Sequence, residues 1–238
     1  MFIDAGDIFL SKEKQLLYPK IIEKYPSSLY LGQYYYEEAL MNFFDNRMHG
    51  KIYAREFLTK YNITFSYESS YVNEDIGFNR ACRLIAQQKE EPIYEINEPI
   101  VKWIKEPNSL TQMDNDKTLY SKQTRGLTLV TIHTVEILRA NNVDPTNEIH
   151  NIALALFYWF VRTAATRPDF LQNAWSGAKL FYDTYKQEIQ TTSLTGYNQY
   201  FTMALEYRNK INFPINVLRF ARDLWLYEEV PERYKNIK

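Results

Sequence analysis

Carboxylates, an imidazole, an ammonium and a guanidinium fall close together at several points early in this chain, and such groups ligate cations, move protons and hold anions. The first grouping is Phe2-Ile3-Asp4-Ala5-Gly6-Asp7-Ile8-Phe9-Leu10, where Asp4 and Asp7 bracket a glycine. By itself an aspartate pair around glycine is most often a turn or a helix cap. The second is His49-Gly50-Lys51-Ile52-Tyr53-Ala54-Arg55-Glu56-Phe57-Leu58. Gly50 permits a close backbone approach there, and His49, Lys51 and Arg55 offer donors to a phosphate or to hydroxyls. The plain alternative is a solvated basic turn. The third is Asn73-Glu74-Asp75-Ile76-Gly77-Phe78-Asn79, whose acidic pair would complement the macrodipole of the helix it opens. A fourth run, Trp103-Ile104-Lys105-Glu106-Pro107-Asn108-Ser109-Leu110-Thr111, combines an aromatic ring, a cation, an amide and a hydroxyl.

In this order and spacing the segments resemble family 2 glycosyltransferases of the GT-A type, from that family's metal-binding strand onward. The resemblance covers roughly residues 1–111 and implies a reaction: inverting transfer of a sugar from a nucleotide-diphosphate donor to an acceptor hydroxyl. The first segment is similar to the strand-end motif hydrophobic-D-x-D-D, which implies Asp4 and Asp7 as ligands of a divalent cation, manganese or magnesium. A hard cation with oxygen ligands suits the donor's diphosphate because it offsets charge developing on the leaving group. Gly6 stands where a second metal-facing carboxylate is usual. The second segment resembles H-G-K-x-Y-x-R-x-F-L and implies His49, Lys51 and Arg55 as substrate-binding residues. The third matches E-D-x-x-F-N and implies Asp75 as the general base that takes the acceptor proton, with Glu74 beside it orienting hydroxyls. The fourth is similar to a closing W-x-R-x-N-P-N-S-L-T-type segment and implies donor contacts from Trp103, Lys105, Asn108 and Ser109. Lys105 replaces the more frequent arginine and loses its bidentate fork.

Positioning these groups requires an α/β layer. Phe2-Ile3-Asp4 reads as the end of a buried strand. Ser11 begins an amphipathic helix through Leu16, Leu17, Ile21 and Ile22 that stops near Pro26. Leu29 to Tyr36 reads as a strand, Arg55 to Lys60 as a short helix, Asp75 to Gln88 as a longer one, and Ile93 to Ile104 as one strand or two. This gives a partial GT-A-like mixed sheet over residues 1–111. A polar linker, Asp114-Asn115-Asp116, then leads into an all-helical region over 112–238: Leu127 to Ala140, Pro145 to Thr166, Phe170 to Ile189, Tyr197 to Lys210 and Ile215 to Tyr227. Asn141-Asn142 punctuates it, and Asp144-Pro145 supplies a cap and a first-turn proline. His133 and His150 fall on these helices and read as structural or solvent-facing. Ile152 to Val161 reads as a buried helix or a subunit contact.

Composition narrows the partners. The 28 basic and 29 acidic residues are mixed along the chain, so no block suggests a grip on nucleic acid or anionic lipid. The lone Cys82 cannot form an intrachain disulfide and fits a reducing compartment. The longest apolar run is too short for a membrane span, and a cytoplasmic location is expected. Aromatic residues make up 16%, enough for sugar-stacking surfaces, although tyrosine-rich cores and interfaces account for such content at least as well. Members of the family normally begin with strands that bind the nucleotide base, and none precedes Met1. The expectation is therefore that a partner chain, a second copy or a longer product supplies that half. A second reading is a degenerate, non-catalytic subunit retained as an interaction or structural protein. A third, a helical adaptor with accidental motif matches, ranks below both.

Overall fold

The computed structural model describes residues 7–36, 38–41, 48–67, 74–104, 117–153, 155–156, 180–181, 183–185 and 187–188. Through the first compact unit the elements run β1 (Asp7–Phe9), α1 (Lys12–Gln15), α2 (Leu17–Lys24), β2 (Leu29–Tyr36), β3 (Ala39–Met41), β4 (Lys51–Tyr53), α3 (Arg55–Lys60), α4 (Glu74–Gln88) and β5 (Ile93–Trp103). Helix α5 (Lys117–Ala140) follows. The strands order as β1-β5-β2-β3, with β4 also pairing β2. β2 and β5 run parallel and the other pairs antiparallel, so the sheet is mixed. The parallel pair is joined through α3 and α4, the helical crossover that parallel neighbours require.

β2 is central because both of its faces are covered. Leu29 and Leu31 point into a core with Tyr53, Phe57, Ile63, Phe78, Cys82, Ile85, Leu138 and Val143. Tyr30 alternates into a second cluster with Tyr18, Ile52, Ile96 and Val101. A strand buried on both sides reads as a near-continuous apolar run, as Leu29-Tyr30-Leu31 does. β5 is one strand with an irregularity. From Gly32↔Ile96 to Tyr34↔Val101, β2 advances two residues while β5 advances five. Pro99 lies in that stretch and has no N–H to donate to a ladder, so the chain bulges there and resumes pairing beyond it.

The amphipathic segment after Ser11 is divided at Leu16 into α1 and α2. α3, α4 and α5 share one ending, a left-handed residue followed by a long backbone bond. Asn62, Glu90 and Asn142 have φ of 48°, 55° and 53°. The N–H of the next residue then donates back into the last turn: Ile63 to Leu58 O, Glu91 to Ala86 O and Val143 to Leu138 O, each at 2.9 Å.

The second compact unit comprises residues 68–72, 116–135 and 144–238. Its described residues are helical where they carry secondary structure. Leu127, Val130, Thr131 and Thr134 repeat at helical spacing and are buried. Thr131 and Thr134 satisfy their hydroxyls by donating to Leu127 O (2.7 Å) and Val130 O (2.8 Å), four residues back. Asp144 accepts from the Thr146 N–H at 3.0 Å at the start of the next helix, and Pro145 stands just before the first helical residue, Thr146, rather than in the first turn. A ring nitrogen of His150, Nε2, lies 3.0 Å from Glu188 O. Among the described residues, no helix is long and apolar enough to cross a membrane. The Phe2-Ile3-Asp4 strand, the Asp114–Asp116 linker and the helices expected at Tyr197–Lys210 and Ile215–Tyr227 lie outside the described residues, as does most of Ile152–Val161.

Candidate functional site

The turn that carries His49 and Lys51 is locked onto β2 by its glycine. Gly50 adopts φ 71°, and its carbonyl oxygen accepts from the Gly32 N–H at 3.0 Å and from the Tyr18 hydroxyl at 3.0 Å. A β-carbon on Gly32 would collide with that carbonyl oxygen, and one on Gly50 would come within 3.0 Å of the Gln33 and Gly32 oxygens. The close approach that Gly50 allows is therefore to the backbone of β2. Burial of the Tyr18 phenol pushes its pKa above the usual range, which keeps it protonated as donor.

Once fixed, the turn sets His49 and Lys51 against aromatic rings. His49 is buried, with its ring centroid 5.1 Å from Tyr34 and 6.3 Å from Trp103. Lys51 is fully buried in β4, its Nζ 5.8 Å from the centre of the Tyr34 ring, within cation–π range. Trp103 ends β5 and stacks on Tyr36 at 4.3 Å with 7° between ring planes. Pairing across the sheet sets Trp103 opposite Tyr36 on one side and opposite Asp7 on the other. His49 and Lys51 thus both lie against Tyr34, and Trp103, far away in the chain, lies against His49. Asp7 reaches the same row of the sheet through its backbone register.

Glu74 and Asp75 form the first turn of α4 and are half-buried. Asp75 Oδ1 accepts from the Ile76 N–H at 2.8 Å. This locus is tied to the turn through β4. Tyr53, two residues beyond Lys51, donates its buried hydroxyl to Asn79 Oδ1 at 3.1 Å, one turn along α4 from Asp75. Burial above all, with the Asp75 carboxylate acting in the same direction, pushes the Tyr53 phenol well up. Arg55 opens α3 on an exposed face, immediately after the extended Ala54. Asp4, Lys105, Asn108 and Ser109 lie outside the described residues.

Tyr34, Tyr36, Tyr18 and Gly32 were not singled out from the sequence. The run Tyr34-Tyr35-Tyr36 is legible as a strand end, but which tyrosine meets Trp103 depends on the register across the β5 bulge. As for a cation, no three His, Cys, Asp or Glu side chains gather into a metal-holding group among the described residues. Asp4 is outside them, and Asp7 enters here through its backbone alone. No protein-family model, no curated protein and no solved structure matches this chain.

Proposed function

We propose that this chain takes part in glycosyl transfer with inversion, from a nucleotide-diphosphate sugar to an acceptor hydroxyl, on a GT-A-like sheet. The observation that carries the reading is the cross-strand row in which the backbones of Asp7, Trp103 and Tyr36 are paired in register, with His49 against the same tryptophan. Three of the four segments that the resemblance assigns to one site, the first, second and fourth, share one part of the sheet. In the proposed reaction, the acceptor oxygen attacks the anomeric carbon of the donor. The bond from that carbon to the diphosphate oxygen breaks, and the acceptor proton passes to Asp75. Asp75 is suited to this because it stands half-buried at a helix start, with one carboxylate oxygen held by a backbone N–H. Glu74 beside it would orient acceptor hydroxyls. The motif with Asp4 and Asp7 implies a divalent cation, which when bound would neutralise charge on the leaving diphosphate.

The test is release of nucleoside diphosphate from a panel of nucleotide-diphosphate sugars by the protein isolated from its native source, together with whatever partner or longer product supplies the nucleotide-binding half, with magnesium or manganese present. Release from at least one donor is expected, reduced about a hundredfold or more in Asp75→Asn, the scale of a lost general base. No release from any donor, or equal rates in Asp75→Asn, would sink the reading.

The complete burial of Lys51 favours a second reading, since the resemblance sets this residue toward substrate. On that reading the chain is a degenerate, non-catalytic relative acting as an interaction or structural subunit. Partner assembly retained in Asp75→Asn, with no turnover by either form, is its expected signature.

A further inference from the structure

We infer that Tyr53 is a positioning residue for Asp75: its hydroxyl, bonded to Asn79, holds the first turn of α4 against β4 and so sets where the carboxylate stands. The inference rests on the glycosyl-transfer reading above for the task of that carboxylate. Tyr53 ends β4 with its ring buried, and its hydroxyl donates to Oδ1 of the fully buried Asn79 at 3.1 Å. Residues four apart on a helix lie on one face, so Asp75 stands on the same side of α4 as Asn79, one turn nearer its start. Burial chiefly raises the Tyr53 phenol, the Asp75 carboxylate adds to that, and Arg83, four residues beyond Asn79, acts in the opposite sense. Asp75, Asn79 and Arg83 thus form a polar stripe along α4 toward Tyr53.

Apolar contacts hold α4 to the strand as well. Tyr53 meets Phe78 edge-on at 5.1 Å, and Phe78 stacks on Phe65 at 4.2 Å. Such contacts favour closeness in no particular direction, whereas a hydrogen bond requires its donor and acceptor in line. The bond therefore fixes how far α4 is turned about its axis and how far it has slid along β4. Both coordinates matter for a general base, which must come within hydrogen-bond reach of the proton it takes. A displacement of about 1 Å at a reacting group can cost about a hundredfold in rate. β4 itself is anchored at its other end, where the turn through Gly50 is bonded to Gly32. Tyr53 thus ties the third of the motif segments to the strand that carries the second.

The test is a double-mutant cycle on nucleoside diphosphate release, with each form isolated from its native source together with whatever supplies the nucleotide-binding half. The donor is one that the wild type turns over. Tyr53→Phe should lower kcat about tenfold and leave the donor KM within about twofold, because Asp75 acts on the acceptor proton and not on the donor. In an Asp75→Asn background the same change should alter release less than about twofold, since a residue that acts through Asp75 has nothing left to position. Ile85→Val, a truncation in the same core, should leave kcat unchanged. Equal kcat in Tyr53→Phe and the wild type, or the same loss when Asp75 is already absent, overturns the inference. Should Tyr53→Phe fail to fold, Asn79→Ala removes the same bond from the other side and is read by the same cycle. If the wild type releases nothing, an isotope-labelled Asp75 carboxyl carbon followed by NMR decides: its resonance should move in Tyr53→Phe and stay in Ile85→Val. No release with a moved resonance removes the transferase and keeps the positioning, and no release with an unmoved one overturns both. Asp75-dependent release with additive losses keeps the transferase and removes the positioning.

Discussion

At the scale of single residues, Gly50 does two things that no other residue type can do at once. Its φ of 71° is a backbone conformation costly to any side chain, and its α-carbon sits where a β-carbon would crowd the oxygens of Gly32 and Gln33. Gly50→Ala therefore carries a conformational cost of about 1–2 kcal/mol before any crowding. The expected result is a destabilisation of at least that size in urea unfolding, together with changed chemical shifts at His49 and Tyr34. An unchanged midpoint would show that the turn can leave β2 freely. The glycine was legible as a place of close approach from its setting in His-Gly-Lys. Its partner, Gly32, was not, because two glycines 18 positions apart become neighbours only after β2 and β4 pair.

At the scale of elements, the shared helix endings show what local sequence determines and what it leaves to context. Asn62 and Asn142 are residues that tolerate the left-handed conformation, and both stand where a helix was expected to stop. Glu90 adopts the same conformation at φ 55° without that tolerance, held there because the Glu91 N–H reaches Ala86 O. Glu90→Gly relieves the strain at an exposed position. It should stabilise the protein by about 1 kcal/mol, read as a rise of about 2–4 °C in the melting temperature. A lower melting temperature would mean that Glu90 contributes contacts worth more than the strain. β5 teaches the same lesson for strands: its two apolar runs leave one strand or two open, and the answer is one strand because β2 continues past the bulge and pairs with both halves.

At the scale of the whole molecule, Glu91 ties together elements that are remote in sequence. Its carboxylate accepts from Lys60 Nζ at 2.6 Å and from the Tyr61 hydroxyl at 2.6 Å, both at the end of α3, and from Ser28 Oγ at 2.7 Å just before β2. Those bonds, Lys60's first, hold the Glu91 carboxyl at about 2 against an ordinary 4.5. A carboxyl lowered on folding stabilises fully above its unfolded value and loses that contribution as the pH falls toward the folded value. Glu91→Gln should thus be less stable than the wild type at neutral pH, with the gap closing between pH 4.5 and about 2. Denaturant midpoints measured across that range check it, and a gap that persists to pH 2 would mean that the lost stability is not electrostatic. The same pair raises Lys60 from 10.5 to about 12, Glu91's hydrogen bond first, so its alkaline signature appears as the pH rises through that interval. The two shifts describe one interaction and are not summed.

The sequence by itself determined the elements around the candidate site. β2 over Leu29–Tyr36, α3 over Arg55–Lys60, α4 to Gln88 and the Asp144 bond at a helix start all follow from apolar period, β-forming residues and capping chemistry, which act over a few neighbouring positions. It also drew attention to His49, Lys51, Asp75 and Trp103 through their residue types and spacing. Only the tertiary structure decided what each of them faces: Lys51 inward onto Tyr34, Trp103 flat against Tyr36, Asp75 one helical turn from the Tyr53–Asn79 bond. Those outcomes depend on strand order, on the bulge at Pro99 and on which glycines come together. Each is a relation between segments distant in the chain, and local preference carries no information about it.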